Sequence, residues 1–249
     1  MGLISKEVFV CFDCETTGLD PEEDRIIEFA ARRFTLSENM ESFETLINPG
    51  RPIPQASQAI HHISNEMVAD KPPIEEVLQN ILDFIGGAIV VGHSIEFDIA
   101  ILDANAKRLG VISHITSSPF IDTLRLARLY GESPLNSLQG LRKHFNISDE
   151  GAHRAMSDVE VNIAVFKQLV RPYKTTADVL KVLERPIAMR TMPLGKYKGR
   201  IFKEVPTHYL TWASHQDFDR DLLFSIRREL KSRRVRKDFS NATNPFQDL

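Results

Sequence analysis

The sequence predicts an α/β fold, on three observations. Two short apolar runs, Glu7–Asp13 (EVFVCFD) and Ala88–Gly92 (AIVVG), have the length and the β-branched and aromatic content of buried strands. Two segments carry helical periodicity. Asp98 opens one with Ile99, Leu102 and Leu109 on its apolar side, and Asp158 lies in another with Val159, Ile163, Phe166 and Leu169. Acidic side chains stand where the apolar runs end or the helices begin, the positions that such folds turn toward a crevice.

The first run ends in an Asp-x-Glu pair. Strand side chains alternate faces, so Asp13 and Glu15 point the same way and Cys14 points the other. Two carboxylates on one face repel unless a cation lies between them. Read alone, the pair is more simply a solvated strand end running into the turn residues TTGLDPEED. Asp98, read alone, is a first-turn acid favoured by the helix dipole. His153 lies five residues before Asp158, which on one continuous helix would set them about 140° apart. Both face one site only if His153 sits on the loop or cap before the helix proper, which Gly151 and Ala152 permit. A lone histidine there is otherwise a helix cap. The conjunction favours a site. Two divalent ions about 4 Å apart need several converging carboxylates, and a water nucleophile needs a base. Histidine, with an ordinary pKa near 6.5, suits that base. All-oxygen ligands favour Mg²⁺ or Mn²⁺; zinc would want more His and Cys.

From about Lys6 to Arg171 the chain resembles the histidine branch of the DEDD superfamily of 3′–5′ exonucleases. Within it, the chain is most similar to the proofreading epsilon subunits of bacterial DNA polymerase III. The matching stretches are FDCETTGLD, INPGRPIP with IHHIS, GHSIEFDIAIL, FIDTLRLAR and HRAMSD, in that order. The resemblance implies an RNase H-like fold with a mixed central sheet flanked by helices. It implies that Asp13, Glu15, Asp98 and Asp158 hold two metal ions and that His153 is the general base. It sets the nucleotide pocket on Thr16, Thr17, Gly18, Leu19, His61, Ile63, His93 and Phe97. Leu19, Ile63 and Phe97 would be the surfaces on which unstacked bases rest. The implied substrate is a single-stranded or frayed DNA 3′ end, the product a nucleoside 5′-monophosphate and the partner a polymerase III catalytic subunit. Ser94 stands where Asn often follows Gly-His, and His62 where Gly is frequent. Two alternatives remain: a free-standing DNA or RNA 3′ exonuclease in repair or RNA processing, and a non-catalytic nucleic-acid-binding adaptor. None of the five catalytic positions is missing, which weakens the adaptor.

At 249 residues the chain allows one ordinary domain and a small second one. No apolar run reaches the roughly 18 residues of a membrane span, and nothing resembles a signal peptide. Cys11 and Cys14, the only cysteines, fall on opposite strand faces and do not suit a bridge; two reduced thiols fit a cytoplasmic protein. Charge is uneven. Residues 1–174 hold 16 Lys and Arg against 25 Asp and Glu, whereas residues 175–249 hold 15 against 9. The expected organisation is a catalytic domain over 1–174, a linker over 175–190, a small basic domain over 191–239 and a disordered tail over 240–249. The basic domain opens on MPLGKYKGRIFKEVPTHYLTWA, similar to a small domain of unassigned function attached to bacterial exonucleases, with Leu194 in place of its Phe. A helix from Pro206 carries Tyr209, Leu210 and Trp212, with Trp212 expected in the core. A second helix, Asp219–Val235, has Leu222, Leu223, Ile226 and Leu230 as its stripe. Its cations are either phosphate contacts or a solvated face.

Overall fold

The computed structural model describes residues 2–133, 135–148 and 154–241, with side chains to residue 235. The chain divides into two compact units, residues 1–183 and 184–249.

The first unit is built on five strands. They are β1 (Phe9–Thr16), β2 (Ile26–Phe34), β3 (Asn39–Leu46), β4 (Ile89–Gly92) and β5 (Phe120–Asp122). Their order is β3-β2-β1-β4-β5. The first three pair antiparallel, and β4 and β5 join parallel to β1. This is the expected mixed sheet. β1 runs three residues beyond its expected end, because Glu15 pairs with Glu28 and Thr16 with Ile26 across a register shift.

Helices cover the sheet. They are α1 (Gln55–His61), α2 (Asn65–Val68), α3 (Ile74–Ile85), α4 (Glu96–Arg108), α5 (Thr123–Tyr130), α6 (Leu138–His144), α7 (Ala155–Leu169) and α8 (Thr176–Leu183). Alternation along β1 divides the core. Val10, Phe12 and Cys14 pack with Leu78 and Ile81 of α3 and with Ile99 and Leu102 of α4. Phe9 and Cys11 face α7: Phe9, Phe34 and Phe166 form a ring trio with centroids 5.1–5.6 Å apart. Asn162 Nδ2 of α7 donates to Cys11 Sγ at 3.5 Å. The odd-numbered side of β1 therefore carries Asp13 and Glu15 toward the helix that carries Asp158.

The two positions that depart from the resembled pattern share a backbone conformation. His62 (φ 59°) and Ser94 (φ 62°) both occupy the left-handed region, where Gly and Asn sit most easily. His62 ends α1. Ser94 is held by its N–H, which donates to Asp122 Oδ1 at 3.0 Å.

Part of the expected linker is packed structure. In α8, Thr176, Val179 and Leu183 are buried, and Arg125 Nη1 donates to the Leu183 carbonyl at 2.5 Å. The first unit therefore extends to residue 183. In the second unit, α9 (Thr207–Ala213) and α10 (Arg220–Asn241) enclose a core of Met192, Phe202, Val205, Leu210, Ala213, Leu222 and Ile226. Asp219 caps α10, accepting from Asp221 N and Leu222 N. Leu223 faces an open groove of about 540 Å³ with Phe224, Arg227 and Lys231 rather than the core. The helix reaches Asn241, two residues into the expected tail, because no Gly or Pro interrupts it before Pro245. Residues 242–249 lie outside the described residues.

Phe166→Ala should empty the middle of the aromatic trio and cost about 3–5 kcal/mol of unfolding free energy. Urea denaturation in EDTA measures it; a loss below about 1 kcal/mol would mean that α7 is not held to the sheet by these rings.

Candidate active site

Asp13, Glu15 and Asp158 converge. One carboxylate oxygen from each lies within 4.8 Å of the others, and among the described residues these form the one group with potential metal ligands so placed. The local sequence explains the placement. Asp13 and Glu15 share the odd face of β1, and Asp158 sits in the first turn of α7. Asp98 arrives from α4 and is tied to the strand, accepting the Cys14 N–H on Oδ1 at 2.9 Å. It is buried, outside the tight trio but near enough that its charge bears on Asp13. α7 begins at Ala155 with Arg154 as its N-cap. His153 lies outside the described residues.

Burial and like charges dominate the electrostatics of the site. Burial, then the charges of Asp98, Glu15 and Asp158, push Asp13 well above the usual carboxylate range. Burial and the Asp158 charge raise Glu15 to about 7. Burial raises Asp98 to about 7 against the opposing Cys14 N–H bond. The donors are all carboxylate oxygens, and their charges repel. Both facts fit a hard divalent cation, which would be held by Asp13, Glu15 and Asp158 with Asp98 beside them.

Two functional residues escaped the sequence reading. Glu28, opposite Glu15 on β2, accepts Arg154 Nε at 2.9 Å and Arg154 Nη2 on Oε1, and Ala155 N at 3.1 Å on Oε2. One buried carboxylate thus fixes the start of α7 to the sheet and holds a cation beside the acidic cluster, where Arg154 partly offsets the rise at Glu15. The available signal was a glutamate inside an otherwise apolar IIEFAA run.

The expected pocket positions divide by environment. Thr17 Oγ1 donates to Asp24 Oδ1 at 2.7 Å and accepts from Arg25 N, and Asp20 N donates to Asp24 Oδ2. Gly18 is required there: a Cβ would lie 2.7 Å from Asp24 Cγ. Thr16 Oγ1 donates to the Gly18 carbonyl at 2.6 Å. Leu19, at the tip of this braced loop, is 86% exposed. Phe97 is half-buried. His93 bonds Thr123 Oγ1 at 3.0 Å, and burial lowers it to about 4, so it is neutral at physiological pH. His61 is buried. Its Nδ1 accepts Ile63 N–H at 3.0 Å, and its Nε2 has no hydrogen-bond partner among the described residues. Ile63 is a correction. It is 0% exposed, packed with Ile27, Ile53 and Val68, so its side chain offers no surface to a base.

Three comparisons bear on this site. A family model described as exonuclease (RNase_T) matches residues 10–166. A second, described as a putative quorum-sensing-regulated virulence factor, matches residues 181–225. Among curated proteins, a PolC-type DNA polymerase III of Caldanaerobacter subterraneus is 34% identical over 193 residues, covering 75% of this chain and 14% of that protein. The Staphylococcus aureus PolC-type polymerase is 34% identical over 176 residues, covering 69% and 12%. The chain thus spans 12–14% of the length of these relatives. Among solved structures, exonuclease X in complex with 5′ overhanging duplex DNA superposes with a TM-score of 0.57 at 26% identity, covering 71% of this chain and 99% of that one. E. coli exonuclease I in complex with a dT13 oligonucleotide shares the fold, with a TM-score of 0.61 at 21% identity over 67% of this chain and 41% of that one. The chain belongs to the exonuclease (RNase_T) family.

Glu28→Ala should free Arg154 and the start of α7 and so displace Asp158. Nuclease activity should fall on the order of tenfold to a hundredfold, the size seen when a residue that orients a metal ligand is removed. Unchanged activity would show that α7 needs no anchor. The raised carboxylates also fix a pH trend. They bind protons more tightly folded than unfolded, so in EDTA stability should fall as pH rises from the ordinary carboxylate range through about 7. Asp13→Asn should flatten that fall and raise the melting temperature at pH 8. Melts of both proteins at pH 5.5 and 8 decide it, and a wild-type melting temperature equal at both would contradict the trend.

Proposed function

We propose that this exonuclease is of the DEDD type and removes nucleoside 5′-monophosphates one at a time from the 3′ ends of single-stranded or frayed DNA. The observation that carries this reading is the convergence of Asp13, Glu15 and Asp158 within 4.8 Å on one strand face and one helix turn. In this reading Asp13, Glu15, Asp98 and Asp158 hold two Mg²⁺ or Mn²⁺ ions. Bound there, such ions supply Lewis-acid activation of water and neutralise charge at the scissile phosphate.

The chain's own groups do the rest. His153 takes a proton from the attacking water. The water oxygen bonds to phosphorus, the bond from phosphorus to the 3′ oxygen of the preceding nucleotide breaks, and that oxygen takes a proton from solvent to become the new 3′ hydroxyl of the shortened strand. The loop from Thr16 to Leu19, braced by Asp24, receives the terminal nucleotide. Leu19 and Phe97 offer apolar surface to its base. The buried Nε2–H of His61 offers a donor, and neutral His93 adds no positive charge.

The proposed setting is cytoplasmic proofreading beside a polymerase III catalytic subunit, supported by the likeness to PolC-type polymerases. Two free, buried cysteines fit a reducing compartment, and no helix among the described residues is long and apolar enough to cross a membrane. A free-standing 3′ exonuclease is the second reading. The specific observation in its favour is that this chain matches 99% of an exonuclease X chain. Matched DNA and RNA oligonucleotides, assayed with and without a polymerase subunit, separate the two settings and settle the sugar preference.

Asp13→Asn should nearly abolish activity while the fold survives, and EDTA should do the same. His153→Ala should lose on the order of 10² to 10⁴ in rate and flatten the acid limb of the pH profile, with metal affinity little changed. Activity persisting in EDTA would refute the metal-dependent reading. Loss of metal with an intact pH profile would make His153 a ligand or structural group instead.

A further inference from the structure

The second unit carries an aromatic and basic surface that the catalytic reading leaves unused. The only tryptophan of the chain, Trp212, is 52% exposed rather than part of the core. Its ring lies 5.2 Å from that of Tyr209, which lies 4.7 Å from that of Tyr197. Lys196 Nζ and Arg200 Cζ stand 5.7 and 5.9 Å from the Tyr197 ring.

The arrangement is built into the fold. Residues 191–201 close on themselves through the Thr191–Ile201 bridge and the bonds Met192 N–Arg200 O and Gly199 N–Met192 O, each 2.8 Å. Buried Met192 anchors this hairpin in the core. The turn needs its glycines. Gly195 (φ 71°) and Gly199 (φ 83°) are left-handed, and a Cβ on Gly195 would come 2.6 Å from Tyr209 Oη. The hairpin therefore seats Tyr197 on Tyr209 and presents Lys196, Lys198 and Arg200 to solvent. From Met189 to Lys203 there are five cations, Arg190, Lys196, Lys198, Arg200 and Lys203, and no acidic residue.

We propose that this surface of the second unit binds single-stranded nucleic acid, with Trp212 and Tyr197 stacking on bases and Lys196, Lys198 and Arg200 contacting phosphates. Exposed Trp212 and half-buried Tyr197, next to the exposed cations of the hairpin, match the alternation of base and phosphate along a single strand. An acidic peptide would satisfy the cations and leave the indole unused. Binding of this kind is tolerant of sequence and weakens with salt. It goes beyond the catalytic reading, which assigns no group in residues 184–249.

The test uses the full chain in EDTA, so that the strand stays intact. Trp212 is the sole indole, so its emission reports directly on the site. Titration with dT12 should quench that emission. Replacing Lys196, Lys198 and Arg200 together by Ala should reduce the salt slope of binding by about 2, at roughly 0.7 for each phosphate that is no longer neutralised. Trp212→Ala should weaken binding of labelled dT12, followed by anisotropy, by about 5- to 150-fold, the equivalent of one stacked base. Circular dichroism melts and unchanged turnover of a very short oligonucleotide confirm that both variants fold. The proposal is overturned if labelled dT12 binds while Trp212 emission stays constant. It is also overturned if the triple variant keeps affinity and salt slope, or if polyglutamate, which has no bases, quenches as strongly as dT12. Quenching without hydrolysis when Mn²⁺ is restored would instead leave this site standing and remove the catalytic reading.

Discussion

The first unit is organised by the cost of holding like charges together. Asp13, Glu15, Asp98 and Asp158 come from one strand and two helices, and the charges of the other three make Asp13 harder to ionise. Such a group persists only on a frame that does not relax. β1 supplies it, paired on both sides in the middle of the sheet, with apolar side chains buried on both faces below the carboxylates. Its even face is locked to α3 and α4, and its odd face to α7 through Phe9, Phe34 and Phe166. The cluster sits at the end of that strand, where packing yields to solvent.

The position of α7 then decides whether the fourth carboxylate belongs to the group. Several contacts fasten the helix, among them Asn162 to Cys11 and Glu160 to Arg32, and two bear most directly on its placement. Phe166 holds its middle to the sheet by ring packing. Glu28 holds its first turn by accepting Arg154 and Ala155. Removing the charge on Glu28 would leave the Arg154 guanidinium without its partner and the helix start without a cap. Glu28 acts by positioning; its oxygens are engaged with Arg154 and Ala155.

Much of this was legible in the sequence for a local reason. Asp13 and Glu15 could be assigned one face because strand periodicity is local, and Asp98 and Asp158 could be placed at helix starts because helical periodicity is local. What depended on distant partners was not legible. β1 reaches Thr16 only because β2 returns beside it. β3 is a solvent-facing edge with few apolar residues, and β5 has three residues. The Glu28–Arg154 pair joins positions 126 apart. Ile63 and Trp212 were exchanged in role for the same reason. An isoleucine near the site was read as surface and is core, and a tryptophan in a small unit was read as core and is half open. Composition cannot say which apolar side chain finds a partner.

The central claim is that the carboxylate cluster resists full ionisation until a divalent cation joins it. Calorimetric titration of Mn²⁺ in buffers of different ionisation enthalpy counts the protons released on binding. With Glu15 and Asp98 raised to about 7 and Asp13 raised as well, binding at pH 6.5 should expel at least about one proton, because metal ligands must be deprotonated. The number should fall as pH rises past these values, and Asp13→Asn should reduce it. Mn²⁺ binding at pH 6.5 with no net proton release would contradict the account.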